Sequence, residues 1–93
     1  MKARAVVLVD YLDVYSPRLY RVYFWERPGI DYGYNLDAWD LVDCVDAAEA
    51  LAWAAAHSNA RLYQVFAVTS DSGGDAERLV LLHGRNPNIP GDD

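Results

Sequence analysis

The stretch from Asp46 to Ser58, DAAEALAWAAAHS, decides the fold because no other segment has so clear a helical pattern. Its interior is mostly alanine, the best helix former, and it holds neither glycine nor proline. Asp46 suits the N-cap position, and Glu49 follows three residues later, as in a capping box. Ser58 and Asn59 end the pattern because their side chains compete for backbone hydrogen bonds. We therefore predict one short helix around which the chain folds.

One side of this helix carries its large side chains, and we expect that side to face a sheet. With about 100° of rotation per residue, Leu51 and Trp53 fall on the same arc. The full arc comprises Ala47, Ala50, Leu51, Trp53, Ala54 and His57. The small alanines on it would let the helix backbone approach the sheet closely.

Most of the remaining chain reads as strands separated by turns. Apolar, β-branched and aromatic runs bounded by glycine, proline or serine indicate strands. These are Ala5–Leu12, Leu19–Glu26, Leu36–Val45, Ala60–Thr69 and Arg78–His83. The segment Leu36–Val45 also fits a helix capped by Asp37, but a separate start at Asp46 favours a strand. The predicted order is β-β-β-α-β-β, which is an α+β fold with a mostly antiparallel sheet and one helix packed on one face.

The first two predicted strands are expected to form a hairpin in which Asp10 lies opposite Arg21. Such a hairpin is apolar on both faces, and a helix of about 13 residues, roughly 20 Å long, covers only one. The face left without cover would carry Val6, Leu8, Leu12, Leu19, Tyr23 and Trp25. Its cover could come from the loop Arg27–Tyr34 or the C-terminal tail, from a second copy of the chain, or from another protein.

The 93 residues predict a single domain over residues 1–84, followed by a flexible polar tail over residues 85–93. No apolar run is long enough to cross a membrane, and the apolar run after Lys2 and Arg4 lacks a signal-peptide cleavage site. The single cysteine, Cys44, excludes an internal disulfide and suits the cytoplasm.

The charge argues against nucleic-acid binding. Arg18–Arg27 interleaves arginines with aromatic residues, as some single-strand RNA binders do, but the net charge of −6 repels phosphate. We therefore expect no nucleic-acid partner and no membrane partner.

A search for catalytic chemistry finds no motif. The two histidines, His57 and His83, and the lone Cys44 match no zinc spacing. No nucleophile elbow, phosphate-binding loop or dinucleotide fingerprint is present. We interpret His57 as a partly buried helix residue and His83 as a strand-end residue. The sequence thus predicts no catalytic residue, no metal ligand and no cofactor, and a protein that is not an enzyme.

Four stretches together resemble small proteins of actinobacteria and their phages. They are YRVYFWER at 20–27, AWDLVDCVDAAEALAWA at 38–54, RLYQVFAVTSDSGG at 61–74 and RLVLLHGRNPN at 78–88. The group has no assigned activity and offers no catalytic motif to carry over. What the resemblance implies is the strand and helix order given above and an intracellular bacterial or phage setting.

These observations lead us to expect a non-enzymatic protein-binding module, in a phage setting a small effector that engages and modulates a host protein. The partner would be such a protein or a second copy of the chain. Aromatic side chains concentrate binding energy at interfaces, so we select the aromatic residues of the uncovered face and the nearby loop. These are Tyr23, Trp25, Tyr32, Tyr34 and Trp39. The alternative is a small-molecule-binding protein or enzyme with a pocket between sheet and loop, to which Tyr11, Tyr20, Tyr63 and Gln64 would contribute polar groups.

Overall fold

The computed structural model describes residues 1–5, 19–70 and 77–90. Its elements are β1 (Leu19–Glu26), β2 (Asn35–Val42), α1 (Ala47–His57), β3 (Leu62–Ser70) and β4 (Glu77–His83). The four strands form one antiparallel sheet in the order β2-β1-β3-β4, which confirms the α+β fold, with one helix among the described residues. The strand predicted before β1 lies outside the described residues, apart from Ala5.

Strand β1 lies in the middle of the sheet, which corrects the predicted first hairpin. Arg21 stands opposite Asp40 on β2 and opposite Phe66 on β3. Both hydrogen-bonding edges of β1 are therefore occupied at Arg21, which leaves no edge there for the predicted hairpin partner Asp10, a residue outside the described part of the chain. An aspartate does balance Arg21, but it comes from β2: the Arg21 Nε donates to Asp40 Oδ1 at 2.6 Å.

The segment after the first loop is a strand, as predicted, and it ends before the helix begins. Strand β2 stops at Val42, and Asp43 follows with a left-handed φ of 57°. Asp46 is the N-cap of α1, and its carboxylate accepts a hydrogen bond from the backbone N–H of Glu49 at 2.9 Å. Ser58 is the C-cap, so the predicted bounds of the helix are confirmed.

The core lies between α1 and one face of the central strands. The alternate β1 residues Tyr20, Val22 and Phe24 are all buried there, as are Ala50 and Ala54 of the helix. Val65 and Ala67 of β3 complete this layer, while Leu51 and Trp53 pack against its edge. The helix thus turns the predicted side to the sheet.

The interpretation of His57 as a partly buried helix residue is wrong, because it is exposed at the end of α1. It stacks on Trp53 with ring centroids 4.2 Å apart, outside the core. His83 does end β4, as predicted, and it stacks on Tyr63 at 4.8 Å.

The chain after β4 returns to the loop between β1 and β2. The Asn88 side chain accepts a hydrogen bond from the Tyr34 N–H and donates one to the Tyr34 carbonyl, both at 3.0 Å. This two-point contact ties residues 86–90 to the first loop. That residues 85–93 form a flexible tail stays a prediction.

Candidate protein-binding surface

Strand β4 exposes apolar side chains on both of its sides. Leu79 and Leu81 are 39% and 51% exposed, and Val80 and Leu82 between and beside them are 48% and 40% exposed. Helix α1 contacts β1 and β3 but makes no comparable contact with β4. These four consecutive apolar residues therefore lie at the surface of an ordered strand, and we call them the β4 apolar run.

The β4 apolar run also lies along an edge of the sheet. Strand β4 pairs only with β3, and no other described strand lies along its outer row of backbone N–H and C=O groups, which is the row that a further strand would use. A bulge at Leu82, between the pairs formed by Leu81 and His83, is the only register shift in this ladder. No charge and no proline interrupts the run from Leu79 to Leu82.

The opposite edge of the sheet, strand β2, carries charged side chains along its length. Strand β2 carries Asp37 and Asp40, and charged side chains on an edge strand discourage pairing with other chains. Both carboxylates also form ion pairs, Asp37 with Arg61 at 3.0 Å and Asp40 with Arg21 at 2.6 Å. Strand β4 also begins with two charged residues, Glu77 and Arg78, but its next four residues carry no charge, so this part of the β4 edge is the better suited to a further strand.

The face of the sheet opposite α1, which we call the far face, has a buried aromatic centre. The Trp25 indole is 7% exposed and donates to the side-chain oxygen of the buried Gln64 at 2.9 Å. Tyr23 contacts Trp25 and Phe66 edge-on, with ring centroids 6.1 and 4.9 Å apart. These residues pack against one another, and none of the described helices lies on this face.

Exposed apolar side chains and an ion-pair cluster surround that centre. Arg21 bridges Asp40 of β2 and Glu77 of β4, at 2.6 and 3.3 Å. The Asp40 carboxylate, through its hydrogen bond, raises the pKa of Arg21 above its usual value. The exposed apolar residues at the margin are Leu36, Val42, Leu62, Leu79 and Leu81. The far face and the β4 apolar run therefore meet along β4.

The structure brings some of the predicted binding residues together and separates others. Tyr23 and Trp25 share the far face, and Trp25 and Tyr34 line one cavity of about 330 Å³. Tyr34 also lies under the Arg27 guanidinium, 4.9 Å from its ring centroid. Tyr32 is 66% exposed in the loop. Trp39 lies on the helix side of the sheet, with its ring centroid 6.0 Å from that of Trp53, and so belongs to a different surface.

Trp25 stabilises the packing at the centre of the far face. Because its indole is buried and hydrogen-bonded to Gln64, replacing it would leave a buried amide without its partner. The exposed leucines of β4 are better placed to contact another molecule. Sequence reasoning missed them because Arg78–His83 reads simply as the last strand; the available signal was four apolar residues without the alternation of a half-buried strand.

The residues of the alternative pocket do not converge. Tyr20 lies in the core, where burial raises the pKa of its phenol, and Gln64 lies on the far face. Tyr63 is on the helix side, and Tyr11 lies outside the described residues. Burial likewise raises the pKa of the Cys44 thiol, whose Sγ donates to the Asp46 carbonyl at 3.3 Å. Cys44 is therefore suited to packing, since its thiolate is disfavoured.

Comparison with known proteins places this chain beside no characterised relative: no family model, no curated protein and no solved structure matches it. Within residues 1–5, 19–70 and 77–90, no cluster of histidine, cysteine, aspartate and glutamate could hold a metal ion. The same residues include no helix with the length and apolar character that a membrane crossing requires.

Proposed function

We propose that the protein is a non-enzymatic protein-binding module that pairs β4 with an extended strand of a partner protein. The observation that carries the proposal is the β4 apolar run, Leu79–Leu82, exposed along an edge that no described strand occupies. In strand addition, main-chain hydrogen bonds supply affinity and alternate side chains supply specificity. Leu79 and Leu81 would contact the partner strand on one side of the sheet, and Val80 on the other.

Charge selects the chemistry of that partner. The chain carries a net charge of −6, so its field attracts basic segments and repels a second copy of itself. The occupant of the edge is accordingly a strand with apolar side chains and lysine or arginine. The resemblance to small actinobacterial and phage proteins supports a host protein as its source, with the module modulating that host.

The test uses a displayed library of random peptides, selected on the immobilised protein. We expect the enriched peptides to combine apolar residues with lysine or arginine. A synthetic enriched peptide should bind the protein and slow amide hydrogen exchange along β4. Leu81→Lys should weaken that binding about tenfold or more, since a charge on an edge strand opposes pairing.

Val42→Lys is the matched control, because Val42 is 72% exposed and lies on the other edge of the sheet. It should leave peptide binding unchanged. Enriched peptides that are acidic, or whose binding survives Leu81→Lys, would overturn the proposal. Light scattering measures the oligomeric state of the protein and of the Leu81→Lys variant. A dimer that dissociates in the variant would identify a second copy of the chain, instead of a partner protein, as the strand that pairs with β4.

A further inference from the structure

A second feature, separate from the β4 apolar run, lies where β3 begins and β4 ends. A cavity of about 410 Å³ opens there, lined by Arg61, Leu62, Tyr63, His83, Gly84 and Arg85. This volume falls within the range of about 300–1,000 Å³ that is typical of small-molecule sites. Three of its six lining residues are basic and none is acidic, although the chain has 14 acidic residues and 8 lysines and arginines.

The two arginines of the cavity, Arg61 and Arg85, differ in whether their charge is balanced by a carboxylate of the described residues. Arg61 donates to Asp37 at 3.0 Å and to the carbonyls of His57 and Ser58 at 3.0 and 2.8 Å. Its charge is therefore largely balanced, but it is held in place and two of its five N–H donors take no part in these bonds. Arg85 is exposed and forms no ion pair with any other described residue.

The walls of the cavity are suited to a flat ring. The rings of Tyr63 and His83 stack with centroids 4.8 Å apart and an interplanar angle of 26°. Leu62, which is 46% exposed, adds an aliphatic surface beside them. Gly84 brings the backbone against Tyr63, since a Cβ at this position would lie 2.1 Å from the Tyr63 carbonyl oxygen. Arg85 is the next residue in the chain, and it too lines the cavity.

We infer that this cavity binds a small aromatic monocarboxylate, with the ring against Tyr63 and His83 and the carboxylate on Arg85. A single carboxylate matches Arg85, the one guanidinium of this cavity that forms no ion pair with another described residue, whereas a polyphosphate would need several. Arginine suits the task because its planar fork binds a carboxylate through two parallel hydrogen bonds.

The test is a titration of the isotope-labelled protein followed by NMR, with three probes. Benzoate has both ring and charge, benzamide has the ring without the charge, and acetate has the charge without the ring. We expect benzoate to shift the signals of residues 83–85 with a dissociation constant on the order of millimolar. Benzamide and acetate should each bind at least about tenfold more weakly.

Arg85→Gln should weaken benzoate binding about tenfold, because it keeps a polar side chain and removes the charge. Arg78→Gln is the control, since it removes an exposed charge of the same kind at the far end of β4. The melting temperatures of both variants should stay close to that of the parent protein. Equal binding of benzoate and benzamide, unchanged binding after Arg85→Gln, or no shift at residues 83–85 at millimolar benzoate would overturn the inference.

Discussion

Gly84 shows how one residue limits what the end of β4 can accept. Its φ of +87° lies in the region that side chains disfavour, and an added Cβ would meet the Tyr63 carbonyl oxygen at 2.1 Å. We expect Gly84→Ala to lower the free energy of unfolding by about 2 kcal/mol or more, as measured by urea denaturation.

Gly33→Ala is the matched control for that substitution. The nearest atom to its added Cβ would be the Asn88 Oδ1 at 3.6 Å, which is an ordinary contact. Its effect on the free energy of unfolding should stay within about 0.5 kcal/mol. Equal losses in the two variants would mean that the close approach of Gly84 to Tyr63 carries no energetic weight.

Arg61 is the residue whose importance the sequence hides most completely. Its guanidinium lies 4.3 Å from the Phe24 ring centroid, pairs with Asp37, and donates to the carbonyls of His57 and Ser58 at the end of α1. It therefore joins β1, β2, β3 and the helix end. Only the helix end is near it in the chain, whereas Asp37 is 24 residues away, so no local pattern could have predicted this contact.

At the scale of the elements, the close approach of α1 to the sheet depends on two alanines. Ala50 and Ala54 are both 0% exposed and face the central strands β1 and β3. We expect Ala54→Leu to lower the free energy of unfolding by about 1–3 kcal/mol, because a larger side chain there would push the helix away from the sheet. Thermal or urea denaturation measures this loss.

The control for this prediction is the neighbouring Ala55→Leu. Ala55 is exposed on the outer side of the helix, and leucine is nearly as good a helix former as alanine. The control should change stability by less than about 0.5 kcal/mol. If Ala55→Leu proved the more damaging variant, the helix would have to face the sheet with its other side.

The elements themselves were largely predictable from the sequence, while their neighbours in the sheet were not. The cap at Asp46 and the alternation in Leu62–Ser70 are local patterns, and both elements formed where expected. The partner of β1 depends on which strand competes best for its edges. Adjacency in the chain favoured the segment before it, yet β2 and β3 take both edges, and Asp40 supplies the charge that Arg21 needs.

At the scale of the whole molecule, the candidate binding surface also combines a feature that the sequence predicts with one that depends on strand order. The apolar character of residues 79–82 is visible in the sequence, but their exposure depends on β4 standing at an edge beyond the reach of α1. Similarly, the cationic cavity arises only because the strand and helix ends bring Arg61 and Arg85 together. Sequence patterns indicate residue chemistry, whereas strand order decides which chemistry meets solvent.

The response of the whole fold to acid depends in part on Asp37. Hydrogen bonds from the Trp39 indole and then the Arg61 guanidinium hold the pKa of its carboxyl below the usual range. A carboxyl whose pKa is lower in the folded state stabilises the fold above its unfolded pKa, about 3.9, and loses that contribution as pH falls through its folded pKa. Asp37→Asn should therefore be less stable than the parent protein at neutral pH.

The two proteins should converge in stability as the pH falls below about 3.9, since protonation removes the same charge that the substitution removes. Urea denaturation at a series of pH values from neutral to acid measures the gap between them. Asp31→Asn, which removes an exposed carboxyl from the first loop, is the control for the loss of one negative charge. A gap between Asp37→Asn and the parent protein that widened with acid would require Asp37 to be destabilising when charged. It would also contradict a stabilising ion pair between Asp37 and Arg61.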